Sequence, residues 1–189
     1  MIRSKSKVSK IIVIGDKGVG KSNIVTRFTQ NEFSLESSSN PMINIYTDVK
    51  IKPFRFPEIR RSVIRGEEDD LKFHIWDTES QDALRSTDLY FKGCHGVLLV
   101  YDVTKQESFE NLEKWVEIIR EHLSDAKILL VGNKSDLHHL KTVCTEDGQA
   151  FADSKGITFY EASALDCTNI KDAFEELLQT VVDSNNTMR

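Results

Sequence analysis

The chain has 189 residues, 39% of them hydrophobic and 29% charged, the composition of one globular domain with one core. Its 25 Lys and Arg against 30 Asp and Glu leave a net charge of −5, which argues against a nucleic-acid binder held by phosphate contacts. No apolar run approaches the roughly 18–20 residues that span a bilayer and the start lacks a secretory cleavage pattern; three scattered cysteines, Cys94, Cys144 and Cys167, are too few for a disulfide framework or a zinc cluster.

Along the chain, short apolar runs alternate with longer amphipathic segments, the pattern of βαβ units around a mostly parallel sheet. Residues 10–14 (KIIVI) open it as a buried strand. They run into Gly15-Asp16-Lys17-Gly18-Val19-Gly20-Lys21-Ser22, a match to G-x-x-x-x-G-K-[ST], with a short helix predicted over 21–29. In that strand-to-helix setting the glycines let successive amides curl inward as an anion nest at a helix N-terminus. Lys21 then supplies a point charge for the β- and γ-phosphates of a nucleotide. Ser22 supplies a hydroxyl oxygen for Mg²⁺, which prefers hard oxygen ligands. By itself this motif says only nucleoside triphosphate.

Residues 40–76 differ in character. They hold Pro53 and Pro57, the basic stretch FRFPEIRRSVIR and the acidic turn Gly66-Glu67-Glu68-Asp69-Asp70. The segment reads as an extended hairpin whose return strand, 71–76 (LKFHIW), alternates with a period of two. Its arginines read as a solvated face. The runs 96–101 (GVLLVY), 127–131 (KILLV) and 157–160 (ITFY) are near-continuously apolar, as strands covered on both faces are. Helices are predicted over 108–123, with Phe109, Leu112, Trp115, Val116, Ile119 and Leu123 on one stripe, and over 170–182, with Ile170, Ala173, Phe174, Leu177, Leu178 and Val181. These stripes are assigned to core packing. A further helix over 145–155 has Thr145 as its predicted N-cap and stops before Gly156.

The base is addressed by Asn133-Lys134-Ser135-Asp136, directly after KILLV and Gly132. An Asp carboxylate there accepts from both N1–H and the 2-amino group of guanine, whereas adenine lacks that donor pair. Sites built on such bonds discriminate by about 10⁴–10⁵-fold. Lys134 would lay its stem along the base and Asn133 would tie neighbouring loops. After ITFY comes Glu161-Ala162-Ser163-Ala164, whose backbone amides would meet the guanine carbonyl.

GDKGVGKS, WDTESQD, GVLLVYDVT, GNKSD and EASA, in this order and spacing, resemble the Ras superfamily of small GTPases, the Rab family most closely. The resemblance covers about residues 9–182. It implies an α/β, three-layer P-loop NTPase fold, a six-stranded mostly parallel sheet with five helices, forming a single G domain over 1–189 with the hairpin inserted within 40–76. It also implies GTP/GDP and Mg²⁺ as ligands and a switch between two loop conformations. Carried over by position, Asp16, Lys17, Gly18, Val19, Gly20, Lys21, Ser22 and Asn23 would line the nucleotide. So would Phe33, Asn133, Lys134, Asp136, Ser163, Ala164 and Leu165. Phe33 would pack on guanine, Ser22 and Asp77 would hold Mg²⁺, and Gln81 would orient the attacking water.

The departures gather on the γ-phosphate side. The first switch lacks a matching Thr: counting from Lys21 reaches Asn40–Met42, counting back from Trp76 reaches Phe54, and Ser39 and Thr47 are the nearest hydroxyls. Losing that contact removes a metal ligand and the spring that orders the loop. In Asp77-Thr78-Glu79-Ser80-Gln81-Asp82 the family's glycine position is Ser80, and Glu79 adds negative charge. Lys17 stands where a small residue is common, and Leu165 where Lys is usual. The expectation is guanine recognition with weak GTP sensing and slow hydrolysis, in a Rab-like switch for vesicle or membrane traffic. An exchange factor, a GTPase-activating protein and effectors are the implied partners. The alternative is a pseudo-GTPase scaffold holding one guanine nucleotide; a P-loop kinase is disfavoured by the Asn133–Asp136 loop. The expected location is cytoplasmic, with endomembranes reached through partners, since no lipidation cysteine follows Cys167.

Overall fold

The computed structural model describes residues 8–33, 44–50, 72–77 and 88–187. Gln81, the other residues of 78–82, Ser39, Asn40–Met42 and Phe54 lie outside this set, as does most of the basic hairpin. Six strands form one sheet: β1 Val8–Gly15, β2 Asn44–Lys50, β3 Lys72–Asp77, β4 Cys94–Asp102, β5 Lys127–Asn133 and β6 Thr158–Glu161, in the order β2-β3-β1-β4-β5-β6. Five of them run parallel, and β2 pairs antiparallel with β3 at one edge. The family's predicted sheet is therefore present, and β2 with β3 makes the arms of the predicted hairpin.

The chain passes from β3 on one side of β1 to β4 on the other. That reversal of strand order opens a crevice beyond the carboxyl end of β1, where open α/β sheets bind ligands. Gly15 ends β1 at that point.

Alternation along each strand divides the core into two layers. Ile11, Val13, Leu98, Val100, Leu129 and Val131 join helices α1 (Lys21–Gln30) and α6 (Ile170–Thr187) on one face. Ile12, Ile14, Val97, Leu99, Tyr101 and Leu130 meet the other face with α4 (Leu112–His122) and α5 (Thr145–Lys155). Every residue of the stripe predicted on α6 is buried. Burying both faces is what makes the strands continuous apolar runs.

Two local expectations are corrected. The helix predicted over 108–123 is broken at Asn111 into α3 (Gln106–Glu110) and α4, with Ser108 buried and its Oγ donating to the carbonyls of Lys105 and Asp102 at 2.8 and 3.2 Å. Ser108 thereby ties α3 back to the end of β4 and the turn that follows it. Thr145 is not a cap: Cys144 is the N-cap residue of α5 and makes no side-chain capping bond. The Thr145 hydroxyl instead accepts from Lys141 Nζ at 2.7 Å. Gly156 does end α5, in the left-handed region at φ 64°. Together with the short α2 (Asp88–Phe91), and with α3 and α4 taken as one interrupted helix, the described residues carry the five helices expected.

The three cysteines are free. Cys144 and Cys167 are exposed, whereas Cys94 is half-buried and its thiol donates to the Gly96 carbonyl at 3.1 Å. Burial pushes the Cys94 pKa from 9.0 up to about 11. Its neutral form thus favours the folded chain; that contribution is whole below pH 9 and is lost as pH rises towards 11. Iodoacetamide at pH 8 is expected to label Cys144 and Cys167 in the native protein and Cys94 only after unfolding, as peptide mass mapping would show.

Candidate nucleotide-binding site

The loop between β1 and α1 is shaped by contacts that leave no room for side chains. A Cβ on Gly15, at φ 149°, would lie 2.1 Å from the Val100 carbonyl oxygen. One on Gly20, at φ 97°, would lie 2.3 Å from Asn133 Nδ2. Gly20 is also the N-cap residue of α1 and offers no capping side chain, so that helix end is built from backbone donors alone. Lys21 is only 6% exposed and donates from Nζ to the carbonyls of Gly15 at 2.9 Å and Asp16 at 2.7 Å. Its charge is thereby held inside the curl of the loop. Lys17 and Gly18 are exposed and Val19 is buried. Ser22 and Asn23, the second and third residues of α1, are half-buried.

A second loop meets the first. Asn133, 1% exposed, donates from Nδ2 to the Val19 carbonyl at 2.8 Å and accepts from the Ala164 amide at Oδ1 at 3.2 Å. One amide side chain thus spans the glycine loop and the loop after β6. Lys134 holds a left-handed backbone at φ 68°. Its ammonium reaches the Gly18 carbonyl at 3.0 Å and Asp102 Oδ2 at 2.5 Å. Asp102 is fully buried, and its Oδ1 accepts from the amide and hydroxyl of Thr104 at 2.9 and 2.6 Å. Asp136 accepts from Ser163 Oγ at 2.6 Å, and that oxygen in turn accepts from the amides of Leu165 and Asp166 at 3.1 and 3.2 Å. Leu165 is half exposed.

Phe33 is half-buried against the layer shared by α1 and α6, and the Arg27 guanidinium lies 5.9 Å from its ring centre. Asp77 is fully buried at the end of β3, in register with Val13 of β1. Ser22 and Asp77 are hard oxygen donors of the kind Mg²⁺ takes. Among the described residues no group of three or more His, Cys, Asp or Glu could hold a metal by itself. That donor set suits Mg²⁺, which keeps waters and combines one or two protein ligands with phosphate oxygens. The paired His138 and His139 are exposed in a short 3₁₀ turn.

Several ties that support the site carried no sequence signal, and Asp16, expected to line the nucleotide, has its carboxylate taken up by one of them. Asp16 turns its carboxylate to the far side, accepting from Asn111 Nδ2 at 2.7 Å and Trp115 Nε1 at 2.8 Å. These donors stand one helical turn apart, at the break before α4 and in its first turns. Trp115 therefore does more than pack: it pins the glycine loop to the helix layer. Asp16→Ala strands both donors and is expected to cost about 1–3 kcal/mol of stability, read from urea unfolding midpoints. Arg27 and Lys105 were also unmarked, and Asp102 was marked only by its place in GVLLVYDVT; a Cβ on Gly18 would lie 3.8 Å from Lys105 Nζ.

Residues 10–183 match the model of the Ras family. The chain is 45% identical over 174 residues to Ras-related protein YPTC6 of Chlamydomonas reinhardtii, covering 91% of this chain and 74% of that protein. It is 44% identical over 171 residues to Ras-related protein RABA2c of Arabidopsis thaliana, covering 89% and 72%. To Ras-related protein Rab2BV of Beta vulgaris it is 43% identical over 174 residues, covering 91% and 75%. With the glycine loop at the sheet's switch point and the Asn133 and Ser163 loops tied onto it, this chain belongs to the Ras family of small GTPases and is Rab-like.

Proposed function

We propose that this chain binds GTP and GDP with Mg²⁺ through one site built on the 15–22, 133–136 and 163–165 loops. The observation that carries it is Asn133, which joins the Val19 carbonyl to the Ala164 amide and so locks a phosphate cradle to a base-reading loop. In this reading the amides at the start of α1 and the Lys21 ammonium hold the β- and γ-phosphates. Asp136, oriented by the Ser163 hydroxyl, accepts from N1–H and the 2-amino group of guanine. Lys134 supports the base and simultaneously holds Gly18 in place. Phe33 covers the base from the α1 side, and Ala164 and Leu165 border it. Ser22 and Asp77 would hold Mg²⁺, whose charge balances the phosphates as the terminal one leaves.

Gln81 is assigned the positioning of the attacking water, with a single G domain spanning the chain. Hydrolysis is slow in this proposal, because Ser80 takes a glycine position, Glu79 adds like charge, and no Thr of the first switch aligns. The chain works as a Rab-like switch in vesicle or membrane traffic, engaging an exchange factor, a GTPase-activating protein and effectors. Endomembranes are reached through partners in this proposal; among the described residues no helix is long and apolar enough to cross a membrane.

The test is the nucleotide that co-purifies, together with single-turnover hydrolysis with and without Mg²⁺. A guanine nucleotide and an intrinsic rate below about 10⁻⁴ s⁻¹, the order of an unassisted small GTPase, are expected. An adenine nucleotide would refute the base assignment. Equal GDP and GTPγS affinities with brisk turnover would refute the slow switch.

A further inference from the structure

We infer that Arg27, on the helix leading out of the glycine loop, is a positioning residue for base selectivity: its guanidinium holds the Ser163 loop so that Asp136 stays aimed at the base. The inference rests on the guanine site proposed above. Arg27 donates from Nε to the Ala164 carbonyl at 2.8 Å and from Nη2 to the Leu165 carbonyl at 3.1 Å. Its Nη1 donates to the Asn31 carbonyl at 3.0 Å, where Asn31 closes α1 in the left-handed region at φ 59°. One planar fork thus fastens two consecutive carbonyls of a distant loop to the end of α1.

Asn133 holds this loop by the Ala164 amide, and Arg27 holds it by the carbonyls; together they secure a strained backbone. Cys167 and Asn169 both sit at positive φ, 72° and 55°, a backbone region that costs non-glycine residues free energy. The two carbonyls Arg27 grips immediately follow Ser163, which is fully buried and donates from Oγ to Asp136 Oδ1 at 2.6 Å. Movement of the Ala164–Leu165 backbone is therefore passed directly to the carboxylate that reads the 2-amino group. Lysine cannot substitute, because a point ammonium lacks the fork that grips both carbonyls in one plane.

The discriminating measurement is displacement of fluorescent GDP from the full chain by GDP and by inosine diphosphate, which lacks only the 2-amino group. The unsubstituted chain is expected to prefer GDP by about tenfold or more, the worth of one hydrogen bond to a carboxylate. R27A is expected to narrow that ratio at least about threefold, and R27K to behave like R27A. S163A should narrow it similarly, and the R27A/S163A double variant no further than the larger single effect, since both act through one contact. A parallel loss for both nucleotides with the ratio intact would overturn the inference and leave Arg27 a purely structural residue. Full restoration by R27K, or additive narrowing in the double variant, would also overturn it. Should R27A not fold, R27K supplies the same ratio. Failure of the underlying site would show separately, as an unsubstituted chain with no preference between the two nucleotides.

Discussion

Lys21→Ala is expected to leave the purified chain without bound nucleotide and to weaken GDP by about a hundredfold to a thousandfold. The lysine is 6% exposed and lies among backbone carbonyls at 2.7 and 2.9 Å, so its charge is poorly screened by water. Two charge-assisted bonds to phosphate oxygens, each worth about 1.5–3 kcal/mol, account for a loss of that order. The same substitution removes the brace between the helix start and the Gly15 and Asp16 carbonyls, so some stability is lost without ligand. Thermal melts separate the two effects. A ligand at about 100 times its Kd adds roughly 2.7 kcal/mol to a folded protein. The unsubstituted chain should therefore melt higher with added GDP, while the variant should not respond at the same concentration. A variant that still gains from GDP would show that the phosphates are held elsewhere.

Asp136→Asn is expected to exchange the base preference rather than merely to weaken binding. Ser163 Oγ donates to Oδ1 at 2.6 Å, and an Asn amide retains its carbonyl oxygen for that bond. Its NH₂ group then stands where the second carboxylate oxygen stood. Against guanine this sets donor against donor; against xanthine, whose 2-position is a carbonyl, it sets donor against acceptor. The ratio of GDP to xanthosine diphosphate affinity should shift by about 10⁴-fold overall, since each nucleotide in turn meets a mismatched buried group. Competition binding with both nucleotides reads this directly. Weaker GDP with no gain for xanthosine diphosphate would mean that Asp136 stabilises its loop without touching the base.

Much of the fold was legible because both faces of the sheet are covered. KIIVI, GVLLVY and KILLV lie in strands whose residues alternate between the two buried layers, so alternation vanishes and the runs become unmistakable. The α6 stripe was equally plain, since one helical face meets the sheet. The break at Asn111 was invisible, because the 3.6-residue pattern continues through it. Just before it Ser108 is fastened to the carbonyls of Asp102, at the end of β4, and Lys105. Thr145 misled as a cap, since its hydroxyl takes a lysine on the preceding turn.

At the site, sequence determined the reactive groups: the glycine loop with Lys21 and Ser22, the Asn133–Asp136 run and the Ser163 loop. Their chemistry is local, fixed by residue type and short spacing, so it is written in consecutive letters. Tertiary structure alone decided what holds those groups in place. Asp16 faces Asn111 and Trp115, Lys134 pairs with Asp102, and Arg27 grips a loop 137 residues further on. Each of these ties joins segments brought together only by the assembled sheet, Lys134 and Asp102 for instance by the pairing of β4 with β5, and a pairwise contact of this kind leaves no periodicity in the chain. The sequence therefore placed this chain in the Ras family and named the groups proposed to hold its nucleotide, and the packing of loops across the sheet decided what holds those groups in place.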